Sequence, residues 1–250
     1  MDWLSDDLLL LTIACSRGRV GRVYTIGYAL MAAELIRLAA RERIEIRGGQ
    51  IVVTSAEPTG DAELDAALAG IAEWASPPRP DEWVARPRLR IHGGYLERLA
   101  AAGVVRAQSR FSARRWHVSD ASRLAEARQR LDLIAGSAGA VDLEQTAYAG
   151  LACVIDLDRR LYRGRARRAE RDRLREVAAG RRTASPEAVG DPAADPGGLP
   201  PWDGGADAAQ AKLSAVTRAA IDAAARAAAR AAAAGVAKAT ARDASPWYAG

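Results

Sequence analysis

Aromatic side chains are scarce in this 250-residue chain, at 5%, and Phe111 is the only phenylalanine. Cysteine is rarer still. Cys15 and Cys153 stand far apart with no CxxC, which excludes a disulfide framework and a cysteine-rich zinc cluster. His92 and His117 are the only histidines, and neither belongs to an HExxH. Gly18, Gly21 and Gly27 do not form GxGxxG after a strand, and no P-loop or nucleophile elbow occurs. No apolar run reaches the length of a membrane-spanning helix. The N-terminal MDWLSDDLLLLTIAC is acidic ahead of its apolar run, the wrong order for a signal peptide. Together these absences point away from an enzyme, a metal site, a cofactor or a membrane span, and toward a cytoplasmic protein.

What remains is ordinary globular composition, 49% hydrophobic and 27% charged, with length enough for a sizeable core. Lys212 and Lys238 are the only lysines, so nearly all positive charge is arginine. From Arg159 to Arg182 there are 11 arginines against Glu170, Asp172 and Glu176, a net of 11 − 3 = +8. The whole chain is 36 − 31 = +5, so the rest sums to −3. Two readings fit: a solvated helix laced with Arg/Glu pairs, or a patch for phosphate on nucleic acid or lipid.

Hydrophobic spacing predicts a mainly α protein, one globular helical domain with two small peripheral β-hairpins. Ser5 is the expected cap of a first helix through DDLLLLTIA, and a second runs from about Ile26 to Arg41. IEI and QIVVT, joined at Gly48-Gly49, read as a hairpin over 44–54. SPPRPDEW reads as a rigid turn. Helix GGYLERLAAAG then leads into a second hairpin over 104–118, and helices follow at 120–137, 142–156 and 159–179. Residues 1–182 form the expected core. The Pro/Gly/Asp-rich stretch 183–206 reads as a linker, and 207–242 as an Ala-rich helix packing back on the core.

The most distinctive stretch is EPTGDAELDAAL, residues 57–68. Pro58 biases Glu57 away from helix, Gly60 permits a tight turn, and Asp61 is a good N-cap. Glu63 and Asp65 suit the positive end of the helix dipole, while Leu64, Leu68 and Ile71 line one face. Asp61 and Asp65 could also share a metal, but no third ligand follows at suitable spacing.

Helix, glycine, strand, turn, strand in LERLAAAGVVRAQSRFSARRWHV is the pattern of a winged helix. It makes a DNA-binding regulator the alternative function, with Arg106, Arg110, Arg114 and Arg115 on phosphates. Alanines occupy the places where base-reading side chains would be wanted.

LSDDLLLLTI, AELIRLAARERIEI, EPTGDAELDAAL and LERLAAAGVV occur in this order, followed by TAYAGLACVIDLDRRLYRGRARR. In these blocks the chain resembles the Golgi phosphoprotein 3 family, in the form of its bacterial members. PTGDxxLDxAL is the most specific block. The resemblance implies a peripheral membrane or adaptor protein, not an enzyme, that binds the phosphatidylinositol 4-phosphate headgroup. It further implies protein tails or a second copy of the chain as partners, with nucleic acid less suited. The family's headgroup pocket uses an aromatic residue and several arginines. Its tryptophan falls near Arg22 to Tyr24, one arginine falls on Met31, and a further pair falls close to Leu89 and His92. The resemblance thus nominates Arg22, Tyr24, Arg88, Arg90 and His92 as headgroup residues. Read as extended chain, RPRLRIH would point Arg88, Arg90 and His92 from one exposed face.

Overall fold

The computed structural model describes residues 1–20, 25–88, 91–108, 115–180 and 204–243. The chain begins with two core helices, α1 (Leu4–Cys15) and α2 (Ile26–Ala40), then a hairpin of β1 (Ile44–Arg47) and β2 (Gln50–Val53). Helices α3 (Ala62–Ala72), α4 (Pro80–Val84) and α5 (Ile91–Ala101) follow, and a second hairpin pairs β3 (Val105–Ala107) with β4 (Trp116–Val118). Next come α6 (Ala121–Gly136), α7 (Leu143–Val154), α8 (Leu157–Leu161), a 3-10 turn at Arg165–Arg167, α9 (Arg168–Ala178) and α10 (Gly204–Asp243). The fold is mainly helical with two separate two-stranded antiparallel sheets. In the first, Arg47 faces Gln50 across Gly48-Gly49, both glycines at positive φ as a tight hairpin turn requires. In the second, Val105 faces Val118.

Helix α2 is the axle. It packs against α1, α3, α4, α5, α7, α10 and β1, so it is apolar around its whole circumference rather than amphipathic. Met31, at 1% exposure, lies inside this core. The charged side chains within the helix, Glu34 and Arg37, are both buried. Helix α10 lies along α2 and also touches α4, α7 and β1. Its contact face is Val216, Thr217, Ala220, Ile221, Ala223, Ala224 and Ala227, small side chains that let two helix backbones approach closely.

Several local expectations change. Trp3, not Ser5, stands at the N-cap of α1, and Ser5 is buried inside the helix. Tertiary burial of the apolar run outweighs its capping preference. The expected turn at SPPRPDEW contains α4, with Pro80 in its first turn, where no amide hydrogen is needed. The helix expected over 159–179 is broken into α8, the 3-10 turn and α9, because Gly164 takes φ +82° between them. Arg171 braces that break by donating to the carbonyls of Tyr162 and Gly164. The linker expected at 183–206 lies almost wholly outside the described residues.

The arginine-rich stretch is mostly exposed and pairs with its own acids, and it reaches the interior at Arg173 and at the Asp158 partner of Arg175. Arg175 binds the buried Asp158 carboxylate at 2.7 Å, Arg167 binds Glu170 at 2.8 Å, and Arg168 binds Asp172 at 3.3 Å. Arg173 is itself buried, donating to Ser137 Oγ at 3.1 Å and to the Gly139 carbonyl.

Candidate functional site

PTGD folds as a self-tied helix start. The Thr59 amide and hydroxyl both donate to Asp65 Oδ1, at 2.6 and 2.7 Å, and Gly60 takes φ +79°. Asp61 Oδ1 accepts the amides of Glu63 and Leu64 at 3.0 and 3.3 Å, capping α3. Its other oxygen binds Arg37 Nη2 at 2.6 Å. Burial pushes the Asp61 carboxyl up, but the Arg37 hydrogen bond and charge outweigh it and hold the group below its ordinary value. Asp61 and Asp65 are therefore committed to the backbone, to Thr59 and to Arg37. Among the described residues no group of three or more His, Cys, Asp and Glu could hold a metal ion.

One turn back from Arg37 lies the more unusual group. Glu34, at 0% exposure, receives Arg88 as a two-pronged fork: Nη1 to Oε2 at 2.9 Å and Nη2 to Oε1 at 2.6 Å. The Tyr95 hydroxyl, on α5, donates to Glu34 Oε1 at 3.0 Å. Glu63 of α3 brings a second carboxylate to 3.6 Å from Arg88 Nη2. Burial pushes the Glu34 carboxyl up to about 7, with Arg88 and Tyr95 pulling against it. Gly94 makes room for this arrangement, since a Cβ there would lie 1.8 Å from Glu63 Oε1.

Of the nominated headgroup residues, Arg88 and His92 are among the described ones. Arg88 precedes α5, but its side chain is only 26% exposed and its fork is turned onto Glu34, unlike the open surface arginine expected. His92 is the second residue of α5 and half-buried. The extended alternation proposed for RPRLRIH therefore stops before it, because the helix begins at Ile91. Arg22, Tyr24 and Arg90 lie outside the described residues, as do Arg110 and Arg114 of the winged-helix reading. A side chain at Gly27 would meet Pro87 at 3.3 Å and Ile91 at 3.8 Å, so the first turn of α2, just after Tyr24, abuts the entry to α5. Sequence reasoning missed Glu34 entirely. The signal available was an acid in the middle of a helix otherwise built of apolar residues.

The remaining reactive side chains are muted. Cys153 is pushed up to about 12 by burial, and burial raises Cys15 too, so neither is a ready thiolate. The hairpin beside α5 carries Arg106 and Arg115 in exposed positions, but Arg98 on α5 is bound to Asp6 of α1 at 2.5 Å.

The described residues thus combine a helical body and peripheral hairpins with a self-tied PTGD cap and a buried acid–arginine pair at the entry to one helix. The chain belongs to the Golgi phosphoprotein 3 (GPP34) family, whose family model matches residues 4–195. No curated protein matches the sequence. Among the described residues no helix is long and apolar enough to cross a membrane.

Proposed function

We propose that this protein is a non-enzymatic peripheral membrane protein. It binds an anionic phospholipid headgroup of the phosphatidylinositol 4-phosphate type on the cytoplasmic face of a membrane, and acts there as an adaptor for protein tails or a second copy of itself. Family membership over residues 4–195 carries the reading. The geometry adds support at one place, where Arg88 and His92 flank the start of α5 and the first turn of α2 lies alongside. A helix N-terminus favours anions, and arginine forks match phosphate oxygens bidentately. Arg90, Arg22 and Tyr24, which precede these two turns in sequence, complete the proposed set. Met31 stands where the family has a further arginine, so the preference for phosphoinositide over other anionic lipids should be modest.

Vesicle binding tests this. Arg22→Ala with Arg90→Ala removes two charge-assisted contacts of roughly 1.5–3 kcal/mol each, so affinity for phosphatidylinositol 4-phosphate vesicles should fall by more than about tenfold. Arg88 is left intact because its loss would strand Glu34. If phosphatidylserine vesicles of equal charge density compete equally, binding is bulk electrostatics and the pocket reading is lost. A duplex-DNA arm serves the winged-helix alternative, under which Arg106→Ala with Arg115→Ala would matter more and binding would fall steeply with salt.

A further inference from the structure

The Glu34–Arg88 pair is an odd way to hold a core together. Removing a carboxylate and a guanidinium from water costs most of what their attraction returns, and apolar replacements of similar shape often serve stability as well. Nor is the pair sealed: Glu34 is fully buried, whereas a quarter of the Arg88 side chain reaches solvent. The edge of a guanidinium that grips phosphate is the pair of parallel N–H bonds on its two prongs. On Arg88 that edge is already filled by Glu34 Oε1 and Oε2, and Glu63 lies beside it. A phosphate arriving at the entry to α5 meets an arginine that is occupied by an internal anion.

We propose that Glu34 is a resident competitor for the headgroup, so that a phosphomonoester gains the Arg88 fork only by displacing this carboxylate, and protonation of Glu34 releases the arginine. The inference rests on the headgroup reading above and deepens it. Glu34 would be a specificity-determining residue that touches no ligand: it sets the threshold of charge and acidity at which Arg88 becomes available. Its titratable and charged neighbours among the described residues come from several elements. Arg88 approaches from the segment ahead of α5, Tyr95 from α5 and Glu63 from α3. Arg37 and Asp61 form the next pair along α2, and Asp6 of α1 lies beyond them. With Glu34 neutral, Tyr95 retains an acceptor in the carboxyl oxygen, so the core contact survives while Arg88 loses its counter-ion. Burial, which already pushes Glu34 toward neutral pH, makes this step accessible.

Glu34→Gln keeps the shape and the acceptor and removes the charge. Vesicles of phosphatidylcholine containing phosphatidylinositol 4-phosphate should bind E34Q about tenfold more tightly than wild type near pH 8, as expected for one recovered charge-assisted contact. Wild-type affinity should climb as pH falls from about 8 to about 6, while E34Q stays flat or declines. That rise is diagnostic, because the phosphate itself loses charge over the same interval, its second pKa being about 6. Glycerophosphoinositol 4-phosphate in solution should compete with the vesicles better than inorganic phosphate does. Equal competition by inorganic phosphate overturns the lipid assignment. A folded E34Q, checked by circular dichroism and melting, that binds no better than wild type overturns the role of Glu34. If E34Q does not fold, the wild-type pH series decides, and affinity that is flat or falling toward pH 6 overturns the inference. Failure of both proteins to bind any anionic vesicle, at any pH in the series, removes the headgroup reading with it. Binding without a gain in E34Q removes this inference alone.

Discussion

At the scale of single residues, Asp61 does two jobs that a sequence pattern shows as one. It caps α3 through two backbone amides, and it is the counter-ion of Arg37. Arg37 is 1% exposed, and its Nε and Nη1 already lack partners among the described residues. Asp61→Ala should therefore cost roughly 3–5 kcal/mol, the range for breaking a buried pair and stranding its partner. Asp61→Asn keeps an oxygen for the cap and should recover about 1 kcal/mol of that loss. Equal losses in urea denaturation would show that the charge pair alone matters. The capping role was legible in the sequence because it depends on neighbours two and three residues away. The Thr59–Asp65 tie and the Arg37 pair were not. The first needs the turn to be already folded, and the second joins positions 24 apart in the chain. Glu34 and Arg88, 54 apart, were hidden for the same reason, so the nominated Arg88 read as a surface cation.

Elements were the most legible level, because helical and strand periodicities are local. Both hairpins, their glycine turn at 48–49 and most helix spans follow from spacing. Failures fell where tertiary structure overrides local preference, as at buried Ser5 and at the break before α9. Between elements, no local pattern marks Gly150 of α7 as a contact point. A Cβ there would lie 2.7 Å from Ile221 Cδ1 on α10, so the glycine sets how closely the two helices approach. Gly150→Ala should raise helix propensity yet destabilise, by roughly 1–3 kcal/mol through overpacking. Adding Ile221→Val should restore part of the loss, because it removes Cδ1. Denaturation of the two single variants and the double variant tests the coupling. Strictly additive losses would mean that the helices do not meet there.

Over the whole molecule, acids raised by burial set the response to pH, Asp6, Asp7 and Glu34 among the described residues. Burial pushes Asp7 up to about 6, against its Arg130 partner at 2.5 Å, and Glu34 up to about 7. Both groups keep a proton in the native state at pH values where the unfolded chain has released it, so stability falls as pH rises through the interval from about 4 to about 7. Asp61 and Asp132, whose carboxyls lie below their ordinary values, act in the opposite sense, and their contribution is lost only as pH falls below about 4. The melting temperature should drop by roughly 5 °C between about pH 5 and about pH 7.5, and Glu34→Gln should flatten that slope. A melting temperature that rises over this interval would contradict the assignment. The same scale decides the standing of α10, which lies beyond the family-matched residues 4–195. Its length of 40 residues corresponds to about 60 Å, far longer than α2, and among its described side chains the buried ones fall between Val216 and Ala227. Helix α10 packs on the central helix α2 and also on α4 and α7. A protease site placed at Gly190, outside the described residues, should therefore allow the chain to be cut without releasing α10. The two fragments should co-elute on size exclusion and melt together. If the C-terminal fragment separates under native conditions while the larger one keeps its melting temperature, α10 is an appendage and α2 is stable without it.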